Sequence, residues 1–471
     1  MGKSSKILLA LCAGLPMMAQ APDALTISSG ASSLTLYGIL DAGVAKVDHS
    51  LNFDAYHPVA VNPTLTKAGN TSATGIFNGG ISQTRVGLKG ALDLGNGLKG
   101  VFTLESAINI PNGNVSNATE SLAMTRSTGP SMAADSAIAG QVFSRNANFG
   151  LSSDTFGTLT VGRHTSFMLD YIPAYDALQG AQMFTPIGFS GLYGGGGATD
   201  SSRLDSCLKY RVKVGDVTLG GLYKFGGVSG SSGARGATEF VVAYERGGFG
   251  LMAAYQSIKD ATAVGDPSGT INGSLLTAIP TPTPANGTVV YEPIGTITVT
   301  CEDTKGTMVA LHYKVGDWLF TAGYQYLQYT NPSDPSTDAQ LTSLYGSPIG
   351  TWIQGGAIVP AVNVTPFTVG GSPMEKDLTV GWLGVRYDFT SKLSLAASYY
   401  HVGQNDFSNG TATAADKSGT TKYSSVLLDY AFSKAFDAYI GYMGVKGSGG
   451  MVAGYTYDDN SSLGVGLRYK F

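Results

Sequence analysis

The run Leu463-Gly-Val-Gly-Leu-Arg-Tyr-Lys-Phe471 decides the fold. Every second side chain in it is large and apolar. Leu463, Val465, Leu467, Tyr469 and Phe471 therefore share one face of a strand, and Gly464, Gly466, Arg468 and Lys470 share the other. A chain that stops in mid-strand on an aromatic leaves its ladder edge to be paired elsewhere. Closing a barrel against the first strand does so without an exposed edge. Small and charged residues on the second face suit a water-filled interior, and the apolar face suits lipid.

Working outward, sixteen segments repeat this pattern, near 34–45, 82–92, 98–109, 141–152, 156–164, 203–213, 216–227, 237–246, 249–259, 305–315, 317–330, 375–388, 391–403, 420–432, 435–446 and 461–471. They are rich in Val, Leu, Tyr, Phe and Thr and alternate with period two. At roughly ten residues each they match a tilted strand crossing a bilayer core. Short connectors such as Asp93-Leu-Gly-Asn-Gly97, Gly247-Gly248 and Ser433-Lys434 read as hairpin turns. They alternate with long ones near 46–81, 110–140, 165–202, 228–236, 260–304, 331–374, 404–419 and 447–460. Short periplasmic turns and long extracellular loops are the outer-membrane arrangement, and an even strand count brings Phe471 back beside the first strand. The expected fold is all-β: a closed antiparallel 16-stranded transmembrane β-barrel, one domain over residues 32–471. A soluble propeller or sandwich also supplies strands, but not aromatic ends on strand after strand, as in Phe436, Ala438, Ile440 and Tyr442.

Composition agrees. Only 13% of the 471 residues are charged, against about 25% in soluble proteins, which fits a chain whose outward faces meet lipid. A net charge of −4 with no basic cluster argues against a nucleic-acid partner. No apolar stretch reaches the roughly 18 residues a transmembrane helix needs. The five histidines fall in no local catalytic or metal motif, and Gly194–Gly197 precedes no helical pattern. Neither enzyme activity, nor a metal, nor a cofactor is expected. Lys3 and Lys6 precede the apolar run Ile7–Leu15, so residues 1–21 read as an export signal. Pro22 compromises cleavage at Ala19-Gln-Ala21, and Ala19 and Ala31 stay open as alternatives. Without the signal two cysteines remain, Cys207 and Cys301, either bridged or free.

A Lys or Arg facing lipid at mid-bilayer costs about 2–4 kcal/mol, so strand charges belong in the lumen or at an interface. Alternation places Tyr37, Asp41, Arg85, Lys89, Glu105, Asp205, Cys207, Lys209 and Arg211 inward. Taken strictly, it turns Arg145 outward with Phe143 and Phe149, and Arg163 outward with Leu159 and Val161.

Ser32-Ser-Leu-Thr-Leu-Tyr-Gly-Ile-Leu-Asp-Ala-Gly43 resembles the first strand of the trimeric general porins of Gram-negative bacteria, beta-proteobacterial type. Thr84-Arg-Val-Gly-Leu-Lys-Gly90, Asp93-Leu-Gly-Asn-Gly-Leu-Lys99 with Leu104-Glu105, Phe143-Ser-Arg-Asn-Ala147, Phe156-Gly-Thr-Leu-Thr-Val-Gly-Arg163 and Val465-Gly-Leu-Arg-Tyr-Lys-Phe471 continue the likeness in order. Between the first five strands and the last, only the rhythm matches. The loops at 260–304 and 331–374 look longer than is usual in the family, and no Pro-Glu-Phe-Gly-type sequence is apparent in 165–202.

The resemblance implies a diffusion channel for ions and small hydrophilic solutes. It also implies a homotrimer in outer-membrane lipid and lipopolysaccharide, and insertion machinery that reads the last strand through Tyr469 and Phe471. It favours the lumen for Arg145 and Arg163, which a bulge or a rim position would reconcile with the alternation. A third loop folded into the barrel would set a basic wall of Arg85, Lys89, Arg145, Arg163, Lys209 and Arg211 against the acidic Asp41, Glu105, Asp170 and Asp176. Three alternatives stand beside it. These charges are simply solvated, or the barrel is plugged by its loops and serves surface interaction, or it selects sugars or carboxylates. In the last case Tyr171 and Tyr175 would form a stacking surface, unless they only pack the loop.

Overall fold

Val, Tyr, Phe and Thr in alternate positions pack well on a pleated surface, and the segments that carry them form the strands of one sheet. The computed structural model describes residues 25–50, 71–108, 110–111, 113, 142–187, 203–227, 230–234, 236–264, 297–330, 351–354, 357–360, 362–366, 376–407, 416–452 and 457–471. The expected export signal lies outside the described residues. In chain order the strands are β1 (Leu25–Ser29), β2 (Ser32–Ser50), β3 (Thr71–Asn78), β4 (Arg85–Gly95), β5 (Leu98–Ala107), β6 (Asn146–Ser153), β7 (Gly157–Thr165), β8 (Arg203–Val214), β9 (Val217–Lys224) and β10 (Ala237–Arg246). They continue with β11 (Phe249–Val264), β12 (Ile297–Val315), β13 (Trp318–Thr330), β14 (Thr351–Gln354), β15 (Ala357–Pro360), β16 (Val362–Pro366), β17 (Lys376–Asp388), β18 (Leu393–Gln404), β19 (Gly419–Ala431), β20 (Phe436–Gly449) and β21 (Asp459–Lys470). A helix, α1 (Phe167–Tyr175), follows β7.

Among the described residues sixteen strands close the ring. β2 pairs β4, the order then runs β4 to β13 and β17 to β21, and each neighbour is antiparallel. β21 closes on β2, from Lys470 opposite Ile39 to Ser462 opposite Val47. Phe471 carries the seam one step further: the Gly38 N–H donates to its carbonyl (2.8 Å), and its N–H donates to the Gly38 carbonyl (3.1 Å). Leu463, Val465, Leu467 and Tyr469 are exposed on the outer face, whereas Gly464 and Gly466 are buried on the inner one. Near the short turns the rings gather into a girdle, with Trp318–Tyr387 at 4.5 Å, Tyr387–Phe389 at 4.9 Å and Tyr430–Phe432 at 5.1 Å. Among the described residues no helix is long and apolar enough to cross a membrane; the strands do so.

Five strands lie outside the expected sixteen. β1 pairs with the start of β2, β3 pairs with its outer part, β14 and β15 form a separate hairpin, and β16 runs parallel to β12. The expected second strand starts later, at Arg85. Residues 79–84 turn into the barrel instead, between the ends of β3 and β4. The disulfide alternative fails at Cys207, which is a buried free thiol donating to the Asp205 carbonyl at 3.3 Å. It stands on β8, with β9 to β11 between it and Cys301 on β12. The Cys301 side chain lies outside the described residues.

Candidate pore constriction

The chain after β7 enters the barrel because its polar ends are met from the inner wall. The Ser166 hydroxyl accepts from the Leu169 N–H (3.1 Å) at the start of α1. Glu239 on β10 accepts from the N–H groups of Phe167 (2.7 Å) and Met168 (2.9 Å), satisfying donors the helix cannot pair itself. Asp170 accepts from Lys209 Nζ (2.7 Å), Arg211 Nη2 (2.8 Å) and the Thr165 hydroxyl (2.6 Å). Burial alone would push this carboxyl up, but Lys209 and Arg211 outweigh it and hold it below its usual range. Pro173 lacks an N–H to extend the helix, and the Asp176 N–H closes it on the Ile172 carbonyl (3.0 Å).

Tyr175 stacks on His312 with centroids 4.9 Å apart and donates to Glu245 (2.6 Å). His312 Nε2 lies 2.9 Å from the other oxygen of that carboxylate. The Trp382 indole donates to the Tyr175 carbonyl (2.9 Å), and the Ala177 N–H donates to the Thr321 hydroxyl (3.1 Å). Asp176 accepts from the Tyr400 hydroxyl (2.7 Å) and the Gly180 N–H (2.9 Å), and burial pushes its carboxyl up against these bonds. Met183 and Phe184 lie over Gly464 and Gly441, where a Cβ would collide with them. The Met183 N–H donates to the Gly80 carbonyl (2.9 Å). From Thr165 to Phe184 the loop thus follows the inner wall from β8 round to β21 and the 79–84 turn.

The arc it leaves uncrossed, β4 to β7 with the root of β8, gathers arginines. Glu105 accepts from Arg145 Nε (2.5 Å) and the Tyr37 hydroxyl (2.9 Å), with Arg85 Nε 3.6 Å away. Arg163 donates through Nε to the Ser144 carbonyl (2.7 Å) and through Nη1 to Asp205 (2.5 Å). Arg203 Nη2 donates to the Gln83 side chain (2.9 Å). Arg145 and Arg163 are only 7% and 6% exposed, so both point inward. Arg163 turns in at a bulge, where Gly162 has φ +132° and the register shifts between Gly162 and His164. Arg145 lies one residue before β6, beyond the last ladder pair, and its N–H donates to the Glu105 carbonyl (3.0 Å). Arg145 Nη1 and Arg163 Nη2 are buried without a hydrogen-bond partner.

Arg85 and Arg145 therefore share Glu105, Arg163 reaches the carbonyl of Ser144 beside Arg145, and the other basic residues lie apart. Lys89 sits nearer the short turns, 5.2 Å over the Tyr37 ring. Lys209 and Arg211 anchor the loop through Asp170 and lie over the Phe167 ring at 4.4 and 5.0 Å. The acidic side also needs correction, because a carboxylate in a narrow lumen is captured by the nearest donors. Asp170 is ion-paired to the wall, Asp176 closes the loop's own turn, and Glu105 lies inside the arginine group. Asp41 is fully buried, accepting from the N–H groups of Gly80 (3.1 Å), Ile81 (3.0 Å) and Ser82 (2.7 Å) and from the Tyr439 hydroxyl. It holds the 79–84 turn inward. Tyr171 and Tyr175 are buried against each other and the wall, so they pack the loop and offer no stacking surface. Sequence reasoning missed Arg203, although it shares the parity of Asp205 to Arg211. No cluster able to hold a metal occurs among the described residues.

The Gram-negative porin family description matches residues 7–450. The chain belongs to the Gram-negative porin family. This porin is 31% identical over 210 residues to an outer membrane porin protein of Bordetella pertussis, covering 45% of this chain and 44% of that one. It is 28% identical over 239 residues to outer membrane porin protein 32 of Delftia acidovorans, covering 50% and 56%. The chain thus spans about half the length of the curated relatives it matches. Among solved structures it is similar to an anion-selective porin from Comamonas acidovorans, with 18% identity, coverage of 93% and 100%, and a TM-score of 0.57. It is similar also to OmpT of Vibrio cholerae in its trimer form, with 16% identity, coverage of 94% and 100%, and a TM-score of 0.53. At these identities the likeness concerns the fold, which is the closed 16-stranded barrel. The porin is an outer-membrane β-barrel.

Proposed function

We propose that this porin is a passive diffusion channel for ions and small hydrophilic solutes that favours anions at its constriction. The observation that carries the reading is the gathering of Arg85, Arg145, Arg163 and Arg203 on one arc of the inner wall, with Glu105 and Asp205 among them. The positive charge gathered on this arc attracts an entering anion without a fixed partner, so the anion can also leave. The shared fold of an anion-selective porin from Comamonas acidovorans supports it. Membership of a family of porins sets enzyme activity aside. The test is the reversal potential of Arg85→Ser with Arg163→Ser in a planar bilayer under a salt gradient. A shift toward cation preference is expected, and an unchanged value removes these residues from the filter.

The assembly read here is a homotrimer, supported by the solved trimer form of OmpT. Tyr469 and Phe471 are the residues that insertion machinery would read. Residues 1–21 are the segment removed on export. Cleavage at Ala21 would keep β1 and cleavage at Ala31 would remove it, so the N-terminal sequence of the mature protein separates the two.

A further inference from the structure

His312, on the inner face of β12, meets the end of α1 with both of its ring nitrogens. Nδ1 lies 3.2 Å from the Ala174 carbonyl oxygen, and Nε2 lies 2.9 Å from Glu245 Oε2. The ring stacks on Tyr175, whose hydroxyl donates to the other Glu245 oxygen (2.6 Å). Gly250, paired with His312 on β11, makes room for this arrangement: a Cβ there would collide with the imidazole and the carboxylate. A carbonyl and an ionised carboxylate can only accept, while a neutral imidazole has one N–H to give. The two contacts are therefore satisfied together only by a ring that carries both protons. The Ala174 carbonyl lies beyond the last intrahelical bond, which the Asp176 N–H closes on Ile172. Such a carbonyl at a helix C-terminus favours a cationic donor. Among the described residues, Glu245 of β10 and Tyr175 of α1 are the titratable groups that face the ring, and Lys213 of β8 acts on Glu245. Gly250 and Thr321, its partners on β11 and β13, carry no charge. Lys314, on its own strand, pairs with Asp388 (3.7 Å).

We propose that His312 is a positioning residue of the constriction, holding the end of α1 only while its imidazole carries both protons, so that the narrow section loosens as pH rises. Loss of one ring proton to solvent leaves either Glu245 or Ala174 facing a bare nitrogen lone pair. The helix end then loses a charge-assisted bond to the wall. The next contacts along the chain, Trp382 to the Tyr175 carbonyl and the Ala177 N–H to Thr321, start from that same end. The inference rests on the channel reading only for its electrical consequence.

The test is backbone hydrogen exchange over residues 174–181, read by mass spectrometry on the full-length porin in detergent. Samples at about pH 5.5 and about pH 8.5 bracket the ordinary imidazole value of about 6.5, with intrinsic exchange rates divided out. Wild type should lose protection roughly tenfold at the higher pH, the effect of one missing charge-assisted bond. His312→Phe keeps a stacked ring without donors and should be equally unprotected at both values. Glu245→Gln should reverse the sign. Its amide can donate to a neutral ring while its oxygen still accepts from Tyr175, but it opposes a protonated ring. An imidazole with a merely structural role would not invert in this way. Equal protection of wild type at both pH values overturns the proposal, as does a step of the same size in His312→Phe. Should His312→Phe fail to assemble, a Glu245→Gln step that keeps the wild-type sign is enough to reject it. Single-channel noise should track exchange in all three proteins. Electrical silence beside the expected exchange pattern would contradict the channel reading while supporting this one.

Discussion

Gly162 has φ +132°, and a Cβ there would sit on the Ala147 carbonyl oxygen. That single backbone conformation turns Arg163 from the lipid face to the lumen, where it reaches Ser144 and Asp205. Gly162→Val should therefore destabilise the barrel by about 1–3 kcal/mol. Thermal unfolding in detergent should show the loss, and the reversal potential should move with it as Arg163 leaves its place. Glu105 poses a different balance. Replacing it by Gln keeps the shape but leaves Arg85 and Arg145 without their shared carboxylate. The expected outcome is a less stable channel with stronger anion preference, read by unfolding and by reversal potential in the same preparation. Strict alternation placed Arg85, Glu105, Lys209 and Arg211 on the correct face. It erred for Arg145 and Arg163 because a bulge and a strand end each break the period of two.

Between Phe167 and Asp176 the third loop is held as one element by contacts at Asp170, Glu239, Glu245, Trp382 and Tyr400. Asp170 gives this anchorage a sign in pH. Its carboxyl is held below its ordinary value of about 3.9, so the ion pairs are complete above that value and are lost as pH falls through the depressed one. Acidification below the usual carboxylate range should free the loop root, seen as faster proteolysis of the loop and noisier single-channel current. Asp170→Asn should show both at neutral pH and lose the acid step. A variant indistinguishable from wild type at both pH values would falsify this anchoring role. None of these partnerships was legible in the sequence, because alternation says which way Glu239 or Tyr400 points but not what lies 72 or 224 residues away. The expected opposition of acidic loop and basic wall failed for the same reason.

The whole molecule depends on closure between β2 and β21, and the seam leaves no room at Gly38, where an added Cβ would collide with the Phe471 ring. Gly38→Leu should keep individual hairpins but lower the yield of heat-resistant barrel, which gel mobility before and after boiling would report. This level was the most legible. Period-two alternation, tight turns such as Gly247-Gly248 and long loops between them depend on local sequence, so the sixteen-strand ring was readable. Strands β1, β3 and β16 were not, because β3 and β16 fall in stretches that read as long loops and β1 precedes the first expected strand, and only their register along β2 and β12 shows the pairing. Permeation needs an aqueous path through this ring, past the loop and the arginines. Single-channel recording of the purified porin in a planar bilayer tests it most directly: stepwise openings are expected, and electrical silence from correctly folded, membrane-inserted protein would contradict it.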